Sequence, residues 1–171
     1  MVELVKQNFK QNKQIYNTTK NNLQQSLGAD IPIDHVGSTA IPNMVGKNII
    51  DILIGAKDSV EFNNLSNNLQ KLGYYPSVKS KTDIYQFFAS TESETTSGDI
   101  HIHLVVVDTD RYNEFIILRD YLLSNPKEAI NYANHKKQIL QLQTSDRAAY
   151  RQIKSKYVTD LIARAKQNKK R

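Results

Sequence analysis

The sequence predicts a single α+β domain over residues 1–171, in which a mixed β-sheet is flanked by helices and followed by a helical C-terminal segment. Three observations predict this fold class. Residues 48–56 form a near-continuous apolar run, which is typical of a strand buried on both faces. Short strand-like segments follow one another between residues 74 and 107, which favours a partly antiparallel sheet. From residue 110 onward the apolar spacing is helical.

The N-terminal elements alternate between helix and strand. Apolar residues at helical spacing predict a helix over residues 2–27, and Gly28 can end it. Residues 31–36 are apolar and β-branched, which predicts a strand. A loop over residues 37–47 then leads into the buried strand at 48–56.

The middle of the chain contributes one helix and the rest of the sheet. Asp58 and Glu61 stand at the spacing of a capping box, so a helix is predicted from Asp58 to Leu72, with Gly73 just beyond its end. Strands are predicted at residues 74–78, 84–90 and 99–107, with a polar turn at 92–98.

Three helices complete the chain. The first is predicted over residues 110–124. The second begins at Pro126, a residue suited to the first helical position, and runs to about residue 142. Polar residues at 144–146 can cap the third, which reaches the basic C-terminus.

Composition restricts the classes of function. The net charge of +6 suits an anionic ligand, and the absence of cysteine excludes disulfides, thiolate metal sites and a cysteine nucleophile. No tryptophan is present and the aromatic residues do not interleave with a basic stripe, which argues against a nucleic-acid partner. The N-terminus is too polar for a signal peptide and no apolar run could cross a bilayer, so we expect a cytoplasmic protein without a membrane partner. The oligomeric state cannot be predicted.

A Gly-Ser pair directly follows the first predicted strand. Gly37 frees the backbone to turn, so that backbone N–H groups and the Ser38 hydroxyl can face an anion. Most such pairs are plain turns, and taken alone this pair is read as structural.

Asp51 lies in the middle of the most apolar strand. A carboxylate there is costly unless it is paired, hydrogen-bonded or bound to metal. Alternation along the strand places Ile49, Asp51 and Leu53 on one face. The residue is either a buried aspartate satisfied by a basic neighbour, or a metal ligand or general base.

His101 and His103 are two apart on the last predicted strand and therefore share one face. They can bind a metal or donate hydrogen bonds to phosphate, although two polar residues on a half-buried face are the commoner case. His35, just before the Gly-Ser pair, is a further candidate. Spacing alone gives no reason to single out Arg119, Lys136 or Lys154 on the later helices.

The motif HVGSTAIP at residues 35–42, followed by Lys47 and by IIDILIG at residues 49–55, closely resembles the GrpB family. The likeness continues through LGY at 72–74, QFF at 86–88, HIHL at 101–104, LRDYL at 118–122 and NP at 125–126, and on through Tyr132, Ala133, Lys136, Tyr150 and Lys154. Asn43 and Asn48 depart from the family, which usually has glycine and proline there. The tryptophan often seen near the family's N-terminus is also absent, with Phe9 in its place.

The resemblance implies a nucleotidyltransferase-like mixed sheet. In active enzymes of that kind, a Gly-Ser pair grips phosphate and three acids hold two divalent metals, two of them in an acid-x-acid pair. Here Asp51 would be the first acid, but Leu53 stands at the second position and cannot ligate Mg²⁺. The strand expected to supply the third acid carries His101 and His103, so the metal half of the site is incomplete.

Three functions follow as hypotheses. The leading one is a nucleotidyltransferase-like protein that binds a nucleotide or related phosphorylated compound, with transfer of a nucleotidyl group as its reaction. Gly37, Ser38, Thr39, Lys47, Arg119, Lys136 and Lys154 would bind phosphate, while Asp51, His101 and His103 would be catalytic and hold a divalent metal, Mg²⁺ or Mn²⁺.

The second hypothesis is a non-catalytic binding or regulatory module. The family's fusion to dephospho-CoA kinase implies a link to coenzyme A metabolism, and Leu53 favours this interpretation. The third hypothesis is a metal-dependent hydrolase that uses Asp51 and the two histidines.

Overall fold

The computed structural model describes residues 4–77, 80–92, 99–141 and 147–168. Its α-helices are α1 (Phe9–Leu27), α2 (Ser59–Lys71), α3 (Asp110–Ser124), α4 (Pro126–Gln141) and α5 (Arg147–Asn168). Its strands are β1 (Val5–Lys6), β2 (Ile33–Val36), β3 (Val45–Gly46), β4 (Ile50–Ala56), β5 (Tyr75–Pro76), β6 (Tyr85–Ala89) and β7 (Ile100–Val106). The predicted cap at 144–146 and nearly all of the predicted turn at 92–98 lie outside the described residues.

Five strands form a mixed sheet in the order β2-β4-β7-β6-β5. The pair β4–β7 is parallel and the other pairs are antiparallel. In this register Asp51 lies directly beside His101 on the parallel neighbour and beside Val36 on the antiparallel one. The predicted fold class, an α+β mixed sheet flanked by helices with a helical C-terminal segment, is confirmed.

The two faces of the sheet carry different layers. On one face, Ile50, Ile52 and Ile54 of β4 pack with Leu23 of α1 and Phe62 of α2. Alternation sends Asp51 and Leu53 to the opposite face, which the C-terminal helices cover. A further apolar cluster joins the loop around Met44 to α4 and α5. The polar side chains of β4 and β7 therefore point toward the C-terminal helices.

Most predicted helix boundaries agree with the structure, and capping explains them. The Asp58 carboxylate accepts a hydrogen bond from the Glu61 N–H at 2.8 Å, and Glu61 accepts one from the Lys57 N–H at 2.7 Å. Pro126 is the first residue of α4, as predicted. Among the described helices none has both the length and the apolarity to span a bilayer.

The N-terminal prediction was wrong in its start. α1 begins at Phe9 because Asn8 caps it, accepting a hydrogen bond from the Gln11 N–H at 3.2 Å. Val5–Lys6 instead pairs with Val45–Gly46 as a two-stranded antiparallel ribbon. The buried Gln7 side chain ties this ribbon together by donating to the Gly46 carbonyl at 3.0 Å.

Candidate functional site

The turn after β2 brings its backbone against Asp51. Gly37 has φ of +72°, in the left-handed region that favours glycine. A Cβ atom on Gly37 would lie 2.8 Å from Cγ and 2.9 Å from Cβ of Asp51, and closer still to Oδ2. Only glycine therefore lets the chain pass this close to the carboxylate, and the turn and Asp51 form one site.

His35 and Thr39 fix the turn from the far side of the sheet. The Thr39 hydroxyl donates to the Ile49 carbonyl at 3.3 Å and accepts from Nε2 of His35 at 3.0 Å. The His35 ring stacks on Tyr16, and burial lowers the pKa of His35 to about 4. Thr39 is buried and does not line the cavity that Ser38 borders, so these two residues position the turn.

Two imidazoles face the Asp51 carboxylate. Nδ1 of His101 and Nε2 of His103 each lie 3.6 Å from Oδ1 of Asp51. Burial alone would raise the pKa of the Asp51 carboxyl, but the two imidazoles outweigh burial and hold that pKa below its ordinary value. Asp51 is therefore an anion at neutral pH, and its side chain keeps 26 % exposure.

Tyr85 orients His103. Its hydroxyl lies 3.0 Å from Nδ1 of His103, while Nε2 of the same ring faces Asp51. Burial lowers the pKa of His103 against the opposing effect of Asp51, so the ring is neutral at pH 7. Both contacts are satisfied when Nδ1 accepts from Tyr85 and Nε2 carries the proton toward Asp51.

Eight polar or glycine residues border one cavity of about 120 Å³ between the sheet and the C-terminal helices. Its walls come from the turn, from β3, β4 and β7, and from α4 and α5. Its lining residues are Leu4, Ser38, Gly46, Lys47, Ile49, Asp51, His101, Lys136, Tyr150 and Lys154. The sequence-predicted candidates Ser38, Lys47, Asp51, His101, Lys136 and Lys154 are therefore brought together.

Lys136 reaches this cavity from α4 through an apolar layer. The residue is 2 % exposed, and its Nζ atom donates to Oγ of Ser38 at 3.1 Å and also to the Val45 carbonyl. The same Nζ atom lies 4.7 Å from the centre of the Tyr132 ring. Burial, together with the charge of Lys154, lowers the pKa of Lys136 to about 7, with Asp51 opposing.

Lys154 and Lys47 complete the basic wall. Burial lowers the pKa of Lys154, Asp51 opposes that shift, and Arg151 adds to it. Nζ of Lys47 lies 5.9 Å from the centre of the Tyr150 ring. Three lysines thus face one carboxylate across the cavity, which makes it suited to an anion.

Arg119 does not belong to this wall. Its guanidinium donates to Asp34 at 2.7 Å and to Asp120 at 2.8 Å, and it is absent from the cavity lining. Since β2 alternates, Asp34 faces α3 while His35 faces α1. Two carboxylates already neutralise the arginine. The family pattern led us to expect a phosphate ligand at this position, but in this chain Arg119 forms a structural ion pair.

The acidic positions do not fit the expected divalent metal. Leu53 is fully buried among Val36 and Val105, so no oxygen ligand stands at the second acid position. Both histidine nitrogens face the same carboxylate oxygen of Asp51. Within the described ranges, no group of three or more histidine, aspartate or glutamate side chains is arranged to hold a metal ion.

Three features of the site were not identified from the sequence. A Cβ atom at Gly46 would lie 2.8 Å from Cβ of Ser38, so the glycine leaves the room that the serine side chain occupies. Tyr150 walls the cavity, although the sequence marked it only as part of the family pattern. Tyr85 acts across the pair β6–β7, and nothing in the sequence specifies that strand order.

Comparison with known proteins identifies the family of this chain. The GrpB protein family model matches residues 1–164. The glutamate-rich protein GrpB of Alkalihalophilus pseudofirmus is 32% identical over 155 residues, which is 88% of each chain.

One solved structure shows the same fold. The crystal structure of the conserved protein GrpB from Enterococcus faecalis has a TM-score of 0.83 at 20% identity, covering 99% of this chain and 100% of that one. A crystal structure of Cid1 poly(U) polymerase with MgGTP bound has a TM-score of 0.49 at 10% identity, covering 77% of this chain and 42% of the polymerase chain. The sequence resemblance is thus confirmed, and the chain belongs to the GrpB family.

Proposed function

We propose that this protein binds a nucleotide or a related phosphorylated compound in the cavity between β4 and the C-terminal helices. The observation that supports this most is the convergence of Ser38, Lys47, Lys136 and Lys154 on one cavity. Hydroxyl and ammonium donors gathered in a partly buried pocket are the groups that recognise phosphate.

The size of the cavity indicates which part of the ligand it can hold. Small-molecule sites commonly occupy about 300–1,000 Å³, whereas this cavity holds about 120 Å³. A phosphate group or two would fill the lysine-lined part, and the rest of the ligand would extend from its mouth. At the opposite wall, Asp51 would accept a hydrogen bond from a hydroxyl of the ligand, and His101 would donate one to it.

Leu53 favours binding over metal-dependent nucleotidyl transfer. Its side chain is 0 % exposed and packs in the core, so no modest rearrangement brings an oxygen ligand to that position. The Asp51 carboxylate already faces His101 and His103, each at 3.6 Å. The metal-dependent transferase and hydrolase hypotheses both need a donor set that the described residues do not assemble.

A thermal-shift panel tests the proposal. Wild-type protein is heated with inorganic phosphate, pyrophosphate, nucleoside mono-, di- and triphosphates, and coenzyme A precursors, each with and without divalent metal. A ligand present at 100 times its Kd stabilises the fold by about 2.7 kcal/mol, which raises the Tm by roughly 5–11 °C in a domain of this size.

Lys154→Met is the informative variant and Arg119→Met its control. The first removes a charge from the cavity, and the second removes a charge that is paired with Asp34 outside it. We expect Lys154→Met to reduce the ligand-induced shift and Arg119→Met to leave it unchanged. Equal shifts in both variants, or no shift with any phosphorylated compound, would disprove the proposed site.

A further inference from the structure

The Ser38 hydroxyl and the Lys136 amine form a pair that the binding function does not require. Oγ and Nζ are 3.1 Å apart, although the residues are 98 positions apart in the chain. Both residues line the cavity, but Lys136 is only 2 % exposed, and its α4 helix packs in the apolar cluster that joins α4 to the loop around Met44. Phosphate binding alone does not explain why the Lys136 side chain is almost completely buried with its Nζ atom in direct contact with the Ser38 hydroxyl.

We propose that Ser38 is a nucleophile activated by Lys136, and that it attacks a phosphorus atom of a phosphoanhydride held in the cavity. The proposal rests on the phosphate-binding function put forward above. In chemical terms the pair is a serine–lysine dyad, in which the amine is the general base for the hydroxyl.

The geometry supplies what such a base needs. A neutral amine has one lone pair and two N–H groups. The lone pair would accept the Ser38 proton across the 3.1 Å contact, while an N–H group donates to the Val45 carbonyl. Burial favours the neutral amine, and the lowered pKa of Lys136, about 7, means that a large fraction is unprotonated at neutral pH.

The proposed step balances as follows. A bond forms between Oγ of Ser38 and phosphorus, and the bond from that phosphorus to the bridging oxygen of the anhydride breaks. The hydroxyl proton passes to Nζ of Lys136, and the leaving phosphate departs as an anion. Lys136 becomes an ammonium beside the new phosphoserine, where Lys47 and Lys154 also offset negative charge.

The charged groups around the amine set its pH response. Lys154 on α5 disfavours the ammonium and Asp51 on β4 favours it. The other titratable groups that face the cavity or the amine are Lys47 after β3, His101 on β7, Tyr132 on α4 and Tyr150 on α5. The rate of attack by Ser38 should therefore rise with pH through the Lys136 titration and level off above it.

A fluorophosphonate probe tests the dyad without the natural ligand. This reagent phosphonylates an activated serine and releases fluoride. We expect labelling at Ser38 and none at the exposed Ser155 of α5, as located by peptide mass spectrometry. The rate should follow a sigmoidal pH profile with a midpoint near 7, whereas an unactivated serine would show a rate that rises with hydroxide throughout.

Two variants separate the base from a structural role. Ser38→Ala must abolish labelling. Lys136→Arg keeps a positive charge and hydrogen-bond donors but cannot lose a proton, so it should slow labelling at least tenfold. Labelling that persists in Lys136→Arg, or a wild-type profile without a plateau, overturns the dyad. The wild-type profile decides the question even if neither variant folds.

Incubation of the wild-type protein with ATP distinguishes failure of the dyad from failure of the binding function. Incubation with ATP should add one phosphoryl or one nucleotidyl group to Ser38, and intact mass tells which phosphorus is attacked. Thermal stabilisation by ATP without any adduct at Ser38 overturns the dyad and leaves the binding function standing. No stabilisation by ATP or pyrophosphate overturns the binding function and the assignment to a phosphoanhydride with it.

Discussion

Gly37→Ala is expected to lower the stability of the fold by more than the backbone strain of alanine alone, because the new side chain would collide with Asp51. Gly37 has φ of +72°, and a new Cβ atom would meet Cγ of Asp51 at 2.8 Å and its Cβ at 2.9 Å. The left-handed backbone costs about 1–2 kcal/mol for alanine, and forcing atoms into packed space adds typically 1–3 kcal/mol. The total of about 2–5 kcal/mol lowers the Tm by roughly 4–20 °C in a chain of this length.

Gly73→Ala is the matched control. Gly73 has φ of +88°, but a Cβ atom there meets nothing within 4 Å. The control therefore isolates the backbone term, about 1–2 kcal/mol or roughly 2–8 °C. We expect it to leave ligand-induced stabilisation intact, whereas Gly37→Ala should lose it because Asp51 is displaced.

A double-mutant cycle that combines Gly37→Ala with Asp51→Ala tests whether the clash is with the Asp51 side chain. Removing the carboxylate takes away the Cγ and Oδ2 contacts and leaves the 2.9 Å contact with Cβ. Gly37→Ala should therefore cost at least about 1 kcal/mol less in the Asp51→Ala background than in the wild type. Urea unfolding measures the four free energies. Strictly additive costs would refute the close approach of the turn to Asp51.

Four further outcomes are expected. Asn48→Pro, which restores the residue usual in the family, should destabilise this chain by more than about 1 kcal/mol because Asn48 has φ of +58° and proline requires about −65°; Asn43→Gly, at φ of +59°, should change the unfolding free energy little. Lys154→Met should raise the pKa of Lys136, and the midpoint of the labelling profile should move to higher pH. Because the pKa of Lys136 is about 7 in the folded state and 10.5 ordinarily, the unfolded state binds more protons between those values, and stability should rise from pH 7 to 9.5 in the wild type relative to Lys136→Met.

The sheet was largely predictable because its strongest signals are local. The apolar run of β4 and the alternating histidines of β7 follow from the period of a buried strand, and Pro126 and Asp58 follow from capping chemistry. The ribbon formed by β1 and β3 was missed because two-residue strands carry no periodic signal. β5 is only two residues long and ends at Pro76, which cannot donate to a ladder.

The site was predictable in its members more than in its arrangement. The burial cost of a charge singled out Asp51, and the family pattern singled out Ser38, Lys136 and Lys154, all of which line one cavity. Spacing could not show that Arg119 is taken up by Asp34, because that contact joins α3 to β2 over 85 positions. Nor could it show that Lys136 lies behind the Ser38 hydroxyl, since that depends on how α4 packs against the loop.

Calorimetric titration of pyrophosphate is the most direct test of the central proposal, that the lysine-lined cavity holds phosphate. Wild-type protein should bind at one saturable site. The double variant Lys47→Met/Lys154→Met should bind at least tenfold more weakly, while Arg119→Met should bind as the wild type does. Saturable binding of equal strength in all three proteins, or no binding to the wild type at millimolar pyrophosphate, would contradict it.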